Sequence, residues 1–298
     1  MKENKMRISE SIYGKILKNY GSYYSELSRL DPRKLTNDAL DQDKPHEQLE
    51  IIKRFLPDGV LRGKKLLEIG SGFGIFNTIA RKEYGIDAWG VEPSGEGFGD
   101  TYGLSLEILK ENGLDEGVIK NVAGEALPFQ NESFDIVYST NVLEHVTSPR
   151  KVIEESIRIC KSGGVIQIVV PNHGSFYEGH YAVPYFPYSP KWLFKFFLRL
   201  FFRRTPDFAD TLRTDINYFS VRKWLIPFVR SGTIEIISFG EEIFRERMTT
   251  LSFYGWAGLS KVKKWVEFLH RVGLVLLATK IIVFFKAHTP LIITIRKK

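Results

Sequence analysis

One cysteine, Cys160, stands in a chain of 298 residues. No internal disulfide can form, and a reducing compartment is expected. Long hydrophobic runs are also missing. The most apolar late stretch, VGLVLLATKIIVFF at 272–285, has 14 residues and carries Lys280, whereas a bilayer-spanning helix needs about 20. The opening residues, MKENKMRISESIYGK, lack the apolar core of a secretory signal. A cytoplasmic location is therefore expected. No internal repeat or low-complexity tract occurs. With 43% hydrophobic and 26% charged residues, the chain is neither mainly disordered, collagen-like nor a multi-span membrane protein.

Charge is present but unevenly spread. The net charge is +7, yet residues 190–298 hold 20 Lys/Arg against 8 Asp/Glu, and residues 1–189 hold 22 against 27. An acidic front is thus joined to a basic tail. The tail either meets an anionic partner or solubilises an aromatic-rich segment.

Residues 1–60 read as a polar N-terminal helical cap, with a loop-like run at 31–45 and a helix from His46 to Leu56 ended by Pro57. From Lys64 the pattern changes to short apolar runs alternating with helical stretches. KKLLEIG, DAWGVEP, Ile119–Val122, FDIVYST and VIQIVVPN read as strands, and SPRKVIEESIRICKSGG as a helix with a glycine stop. That alternation predicts an α/β core with a parallel sheet over 61–175. An aromatic and basic insert follows at 176–230. Residues 231–298 carry two late strands, TIEIISFG and PLIITIRKK, separated by a helical insertion at 241–288.

The sharpest local signal is Glu68-Ile-Gly70-Ser71-Gly72-Phe-Gly74, between a strand and a helix. Glycines there permit a tight turn and close approach of a ligand to the main chain. The helix N-terminus behind them offers amide hydrogens. A dinucleotide fingerprint would require glycine at position 75, where this chain has Ile75. The acid two residues before the first glycine suits a ligand with a cationic amino group. Glu92 and Pro93 close the second strand, and an acid at that edge can accept hydrogen bonds from both hydroxyls of a ribose. A ligand containing a nucleoside is expected at the carboxyl edge of the sheet.

These residues resemble a known family. LLEIGSGFG, GVEP, AGEALPFQNESFDIVYSTNVLEHV and CKSGGVIQIVVPN, in that order, are similar to the class I S-adenosylmethionine-dependent methyltransferases, in particular to the subgroup with an LPF…SFD…LEHV stretch. The resemblance covers about 46–172. It implies a doubly wound, seven-stranded, mostly parallel sheet with the two late strands paired antiparallel. It also implies S-adenosylmethionine as cofactor and S-adenosylhomocysteine as product. Gly70, Ser71, Gly72 and Gly74 would line the methionine and ribose, Glu68 would orient the amino-acid end, and Glu92 with Pro93 would meet the ribose. Gly124, Glu125 and Ala126 correspond to the adenine-edge segment, and Asn141 would sit near the sulfonium.

Methyl transfer from an activated sulfonium demands alignment, which can contribute about 7–11 kcal/mol, and a base only where the acceptor must lose a proton. The candidate bases are His145 in LEHV, His173 in PNHGS and His180 in EGHY. Asp135 reads as structural and Cys160 as a buried filler. The place after the fourth strand reads Ser139-Thr140-Asn141-Val142 rather than the Asn/Asp-Pro-Pro-aromatic run of base-amine methylation. No acid and amide cluster suited to metal-dependent O-methylation is visible, so no metal is expected. A basic tail does not by itself make a nucleic-acid binder, and nucleic acid is not the expected partner.

The most unusual stretch is EGHYAVPYFPYSPKWLFKFFLRLFFRR at 178–204, where Lys191, Lys195, Arg199 and Arg203 recur every four residues among aromatics. It can pack on the core or another subunit, lie on a membrane with basic heads at lipid phosphates, or cover a nucleic-acid groove. Together with the apolar segment near 261–287, it suggests a peripheral enzyme at the inner face of the membrane. The expected acceptor is an oxygen of a small molecule, a sugar or a lipid-linked glycan precursor. An RNA methyltransferase and a non-catalytic binding module are the rival readings. The oligomeric state is not legible.

Overall fold

The computed structural model describes residues 5–95, 100–251 and 260–298. Nine strands are present among them: β1 (Lys65–Ile69), β2 (Asp87–Val91), β3 (Ile119–Lys120), β4 (Phe134–Thr140), β5 (Cys160–Val170), β6 (Tyr177–Glu178), β7 (Val183–Pro184), β8 (Ile234–Ser238) and β9 (Leu291–Lys297). Seven of them form one sheet in the order β3-β2-β1-β4-β5-β9-β8, and β6 and β7 make a separate hairpin. β1 lies between β2 and β4, parallel to both, and Leu66, Leu67 and Ile69 are buried whichever face they point to. This is the near-continuous apolar reading of a strand covered on both sides by helices. β9 runs antiparallel to β5 and β8. The seven-stranded, doubly wound sheet expected from the sequence is the sheet observed.

The parallel strands β1, β4 and β5 end at Ile69, Thr140 and Val170, and β9 begins opposite that last residue, with Leu291 facing Val170. One sheet edge thus gathers the glycine turn, Asn141, the start of the aromatic insert and the entry to the last strand. Ligands of open α/β sheets bind at such carboxyl edges.

Three local readings change. The run expected to be a loop at 31–45 contains the helix Pro32–Ala39. Asp31 caps it, its Oδ1 accepting from the Lys34 N–H at 2.9 Å, and Pro32 occupies the first turn, where its missing N–H costs nothing. The helix Pro149–Ile159 stops before Cys160, which already pairs with Phe134 as the first residue of β5. Cys160 is fully buried, and burial pushes its thiol up to about 12, so it is an inert filler. Arg203 lies beyond the helix Lys191–Leu200 in a left-handed conformation, so the basic stripe on that helix has three members rather than four.

The aromatic insert builds its own small core. Phe194 and Leu198 of the 191–200 helix pack with Tyr181, Tyr185, Phe208 and Leu27. Leu27 comes from the N-terminal helices, so cap and insert meet. Elsewhere on the helix Trp192 is 70% exposed, and Phe201 just past its end is 63% exposed. The helices Glu241–Thr250, Ser260–Arg271 and Val275–Phe284 occupy the late insertion.

Candidate active site

The turn after β1 is built from left-handed glycines. Gly70, Gly72 and Gly74 have φ of +77°, +51° and +72°. A Cβ on Gly70 would stand 2.1 Å from a Val142 methyl, so that glycine allows the loop after β4 to close on the turn. A Cβ on Gly72 would meet nothing within 4 Å. It would project into a cavity of about 1060 Å³ lined by Gly70, Ser71, Gly72, Glu92, Asn141 and His180, among others. That volume sits at the upper end for single small-molecule sites and leaves space for two ligands side by side. Gly74 departs from expectation. It does not line the cavity, and a Cβ there would press on Ile119 and Ser105. Its part is close helix-to-sheet packing.

Glu92 and Glu68 both line the cavity, but they are held differently. Glu92 accepts from the Gly72 N–H at 2.9 Å and from the Thr101 hydroxyl at 2.8 Å, one bond per carboxylate oxygen. Each oxygen keeps acceptor capacity for a further donor, as ribose recognition requires. Burial raises the Glu92 carboxyl above its ordinary range despite those two bonds. Glu68 is buried, and Asn77 from the first turn of the next helix donates to it. Burial pushes the Glu68 carboxyl well up. Asn77 and Thr101 escaped the sequence reading because each sits inside a helical run with no motif of its own. Pro93, Ser71, Gly124 and Glu125 line the cavity as expected, whereas Ala126 does not and Ala123 does. The Glu125 carboxylate accepts from Thr147 N–H at 3.1 Å and Ser148 N–H at 3.3 Å, so it fastens the loop after β4. Asn141 lines the cavity with φ +54°, a left-handed position that asparagine tolerates better than most residues.

The loop after β4 and the insert together give the same cavity a histidine wall. His145 and His180 both line it, with ring centroids 5.2 Å apart. Glu178 orients His180, accepting from its Nδ1 at 2.7 Å, while its second oxygen accepts from the Tyr181 N–H at 2.8 Å. Burial acts to lower His180, and the Glu178 carboxylate overrides it and raises the ring; burial acts to raise Glu178, and His180 overrides it and lowers the carboxyl. Each of the two groups thus favours the charged form of the other. Burial pushes His145 down to about 3, with His180 adding to the effect, so its ring is neutral. Glu144 is fully buried, and neither carboxylate oxygen has a hydrogen-bond partner among the described residues. Burial pushes it up to about 7. His173 is a correction. It is buried against Tyr185 and outside the cavity lining, so it cannot reach an acceptor. Asp135 is structural as expected, accepting from Lys65 N–H and Lys161 Nζ, each at 2.8 Å, at the opposite end of β4.

The sequence offered no acid and amide cluster for a metal. Folding nevertheless gathers Glu144, His145 and His180 so that one donor atom from each lies within 4.8 Å of the others. The expectation of no ligating cluster is revised accordingly.

Residues 67–168 match the family model described as a methyltransferase domain. They span β1 to β5 and contain the glycine turn, Glu92, Asn141 and His145. Residues 67–168 form a methyltransferase domain. Together with the seven-stranded, mostly parallel sheet that it helps build, this makes it a domain of the class I, S-adenosylmethionine-dependent kind. The domain is 36% identical over 132 residues to an uncharacterized protein of Methanocaldococcus jannaschii, covering 43% of this chain and 53% of that one. It is 31% identical over 124 residues to an uncharacterized protein of Mycobacterium tuberculosis, covering 42% and 41%. Among solved structures, a Haemonchus contortus phosphoethanolamine N-methyltransferase bound to phosphomonomethylethanolamine and S-adenosylhomocysteine aligns at TM-score 0.49 and 19% identity, covering 85% of this chain and 52% of that one. The chain spans about two fifths to a half of the length of the two curated relatives compared. In this methyltransferase domain the residues fit the cofactor, because the open side of Gly72 and the spare acceptor capacity of Glu92 face the same cavity.

Proposed function

We propose that this protein transfers a methyl group from S-adenosylmethionine to an oxygen of a small-molecule, sugar or lipid-linked acceptor, and works against an anionic membrane surface on the cytoplasmic side. One observation carries the reading. A single cavity runs from the Gly72–Glu92 cradle to the His145–His180 wall beneath the aromatic insert. When bound, S-adenosylmethionine supplies an already activated methyl group, so the chain's own task is alignment and exclusion of water. Glu92 and Gly72 fix the nucleoside half, Glu68 and Asn77 shape the amino-acid end, and Asn141 closes the edge beside the reacting carbon. The acceptor oxygen then faces His145 and His180, the catalytic histidines of this reading.

The membrane part rests on surface chemistry. Leu276, Leu277, Ile281 and Phe284 of the last helix and Phe285 just past it are exposed, Phe284 at 77%. Trp265 and Phe268 are exposed on the preceding helix, and Lys263, Lys264, Arg271 and Lys280 stand among them. Asn172, just past β5, donates from Nδ2 to the carbonyls of Lys286 and His288, each at 2.8 Å. That contact ties the end of this apolar segment to the sheet edge bearing the cavity. Apolar side chains flanked by cations fit an interfacial anchor. Among the described residues no helix is long and apolar enough to cross a membrane.

An amine acceptor is the second reading. A stretch of the chain is 31% identical over 110 residues to a sarcosine/dimethylglycine N-methyltransferase of Aphanothece halophytica.

The test is transfer of isotope-labelled methyl groups from S-adenosylmethionine into fractionated cell extract. Label is expected in the lipid or glycan fraction as an ether or ester. Label confined to RNA, or to amines, would overturn the acceptor assignment. Cofactor binding without any labelled product would favour a non-catalytic module.

A further inference from the structure

We propose that Glu144, His145 and His180 form a binding site for one divalent transition-metal ion, placed in the wall of the cavity where the acceptor is expected. The proposal rests on the reading of this wall as the acceptor's side of the site.

Three independent features converge. The donor set is two imidazoles and one carboxylate, with a donor atom from each within 4.8 Å of the others and His145 Nε2 at 4.0 Å from Glu144 Oε1. Ligands about 2.1 Å from a common ion stand roughly 3.4 Å apart in a tetrahedron, so closing the set asks for about an ångström of side-chain adjustment. Next, the Glu144 side chain is fully buried, yet neither of its oxygens finds a hydrogen bond among the described residues. A carboxylate so placed is costly without a partner, and a cation between it and the two rings would supply one. Finally, His180 already has the outer support that metal-binding histidines use. Glu178 holds its Nδ1 at 2.7 Å and is itself fixed by the Tyr181 N–H, which leaves Nε2 as the free ring nitrogen. A carboxylate behind a ligating histidine fixes tautomer and orientation.

The backbone supports the same geometry. The carbonyl of Glu144 accepts from the Arg213 N–H at 2.9 Å, so the loop carrying Glu144 and His145 is tied to the insert carrying His180. Phe208 packs against both histidine rings, with centroids 6.1 and 5.5 Å away, and screens the site on one side. His145 and His180 line the cavity while Glu144 lies behind them. An ion held by the three would keep its open positions toward the cavity. Two imidazoles with one carboxylate suit zinc or iron better than magnesium, calcium or manganese. An oxygen ligand from the acceptor would be oriented and acidified there.

The experiment uses the full chain, stripped with chelator and titrated with cobalt(II), followed by visible absorption. One equivalent should bind and give the bands of a four- or five-coordinate nitrogen and oxygen site. Glu144→Gln, His145→Ala and His180→Ala should each lower the affinity at least tenfold. Glu178→Gln, which acts only through His180, should lower it about 10–100-fold. Titration of every variant with S-adenosylhomocysteine checks the fold independently of the metal. No cobalt bands in wild-type protein that binds S-adenosylhomocysteine would overturn the site. So would wild-type cobalt affinity in folded variants. Anomalous scattering from cobalt-soaked crystals gives a check that needs no variant, and a peak anywhere but between these three side chains counts against the proposal. Failure to bind S-adenosylhomocysteine with the cobalt spectrum intact would strike the methyl-transfer reading and leave the metal site standing.

Discussion

The backbone N–H of Gly72 donates to the carboxylate of Glu92 across 2.9 Å. The glycine turn after β1 and the acid after β2, 20 residues apart in sequence, are thereby one unit. Glu92 shapes the turn and also presents its remaining acceptor capacity to the cavity. Substituting Glu92→Ala should weaken S-adenosylhomocysteine binding by about 1–3 kcal/mol, the range for losing a hydrogen bond to a charged group. Isothermal titration calorimetry reads this directly, and unchanged affinity would remove Glu92 from the site.

Gly72→Val tests the open side of the turn. No atom of the chain lies within 4 Å of a Cβ there, so the added side chain enters the cavity rather than the core. Binding of S-adenosylhomocysteine should be abolished while the far-ultraviolet circular dichroism stays that of the wild type. The left-handed φ of +51° should lower the melting temperature modestly, because strain of this kind costs about 1–3 kcal/mol.

Gly70→Ala should behave in the opposite way. Its Cβ would fall 2.1 Å from Val142, so the loop after β4 must retreat. The main loss is expected in stability, and thermal unfolding should show a larger drop than for Gly72→Val. Pairing it with Val142→Ala should recover part of the loss, since the clash is with that side chain.

Acidification should weaken the cofactor complex through Glu92. Burial raises its carboxyl, so protonation begins above the ordinary glutamate range as pH falls, and each protonated carboxyl loses acceptor capacity. Wild-type affinity should decline over that window, whereas Glu92→Gln should bind weakly with a flatter pH profile. The sign for stability is reversed. A carboxyl raised in the folded state favours the folded protein when protonated, so the wild type should gain stability relative to Glu92→Gln as pH falls. Parallel slopes for affinity and stability would contradict this assignment.

The membrane reading makes a separate prediction. Replacing Leu277, Ile281 and Phe284 together with serine should abolish co-flotation with anionic liposomes and leave S-adenosylhomocysteine binding intact. These side chains are exposed, so truncating them should change folding stability little. Equal flotation of variant and wild type, or none for either, would refute the docking surface.

Much of the sheet was legible because parallel strands buried on both faces announce themselves as short apolar runs between glycines. Leu66-Leu67 in β1 and Ile166 and Ile168 in β5 are examples. The cofactor half of the site was legible because it lies in two local motifs. What stayed hidden depends on chain returning from a distance. Glu144 and His145 meet Glu178 and His180 only after the insert folds back over the edge of the sheet, and no spacing in the sequence encodes that contact. The family resemblance places Gly74 and Ala126 at the cofactor, but Gly74 packs toward Ile119 and Ser105 and Ala126 lies outside the cavity lining. The helix Pro32–Ala39 was missed although Asp31-Pro32 is a sound start signal, because its polar composition masked its periodicity.

Titration of the purified chain with S-adenosylhomocysteine, wild type beside Gly72→Val, tests the central claim most directly. One site per chain in the wild type, lost in the variant that keeps its fold, is the predicted result. No binding by the wild type, or equal binding by both, would contradict the placement of a methyl donor in this cavity.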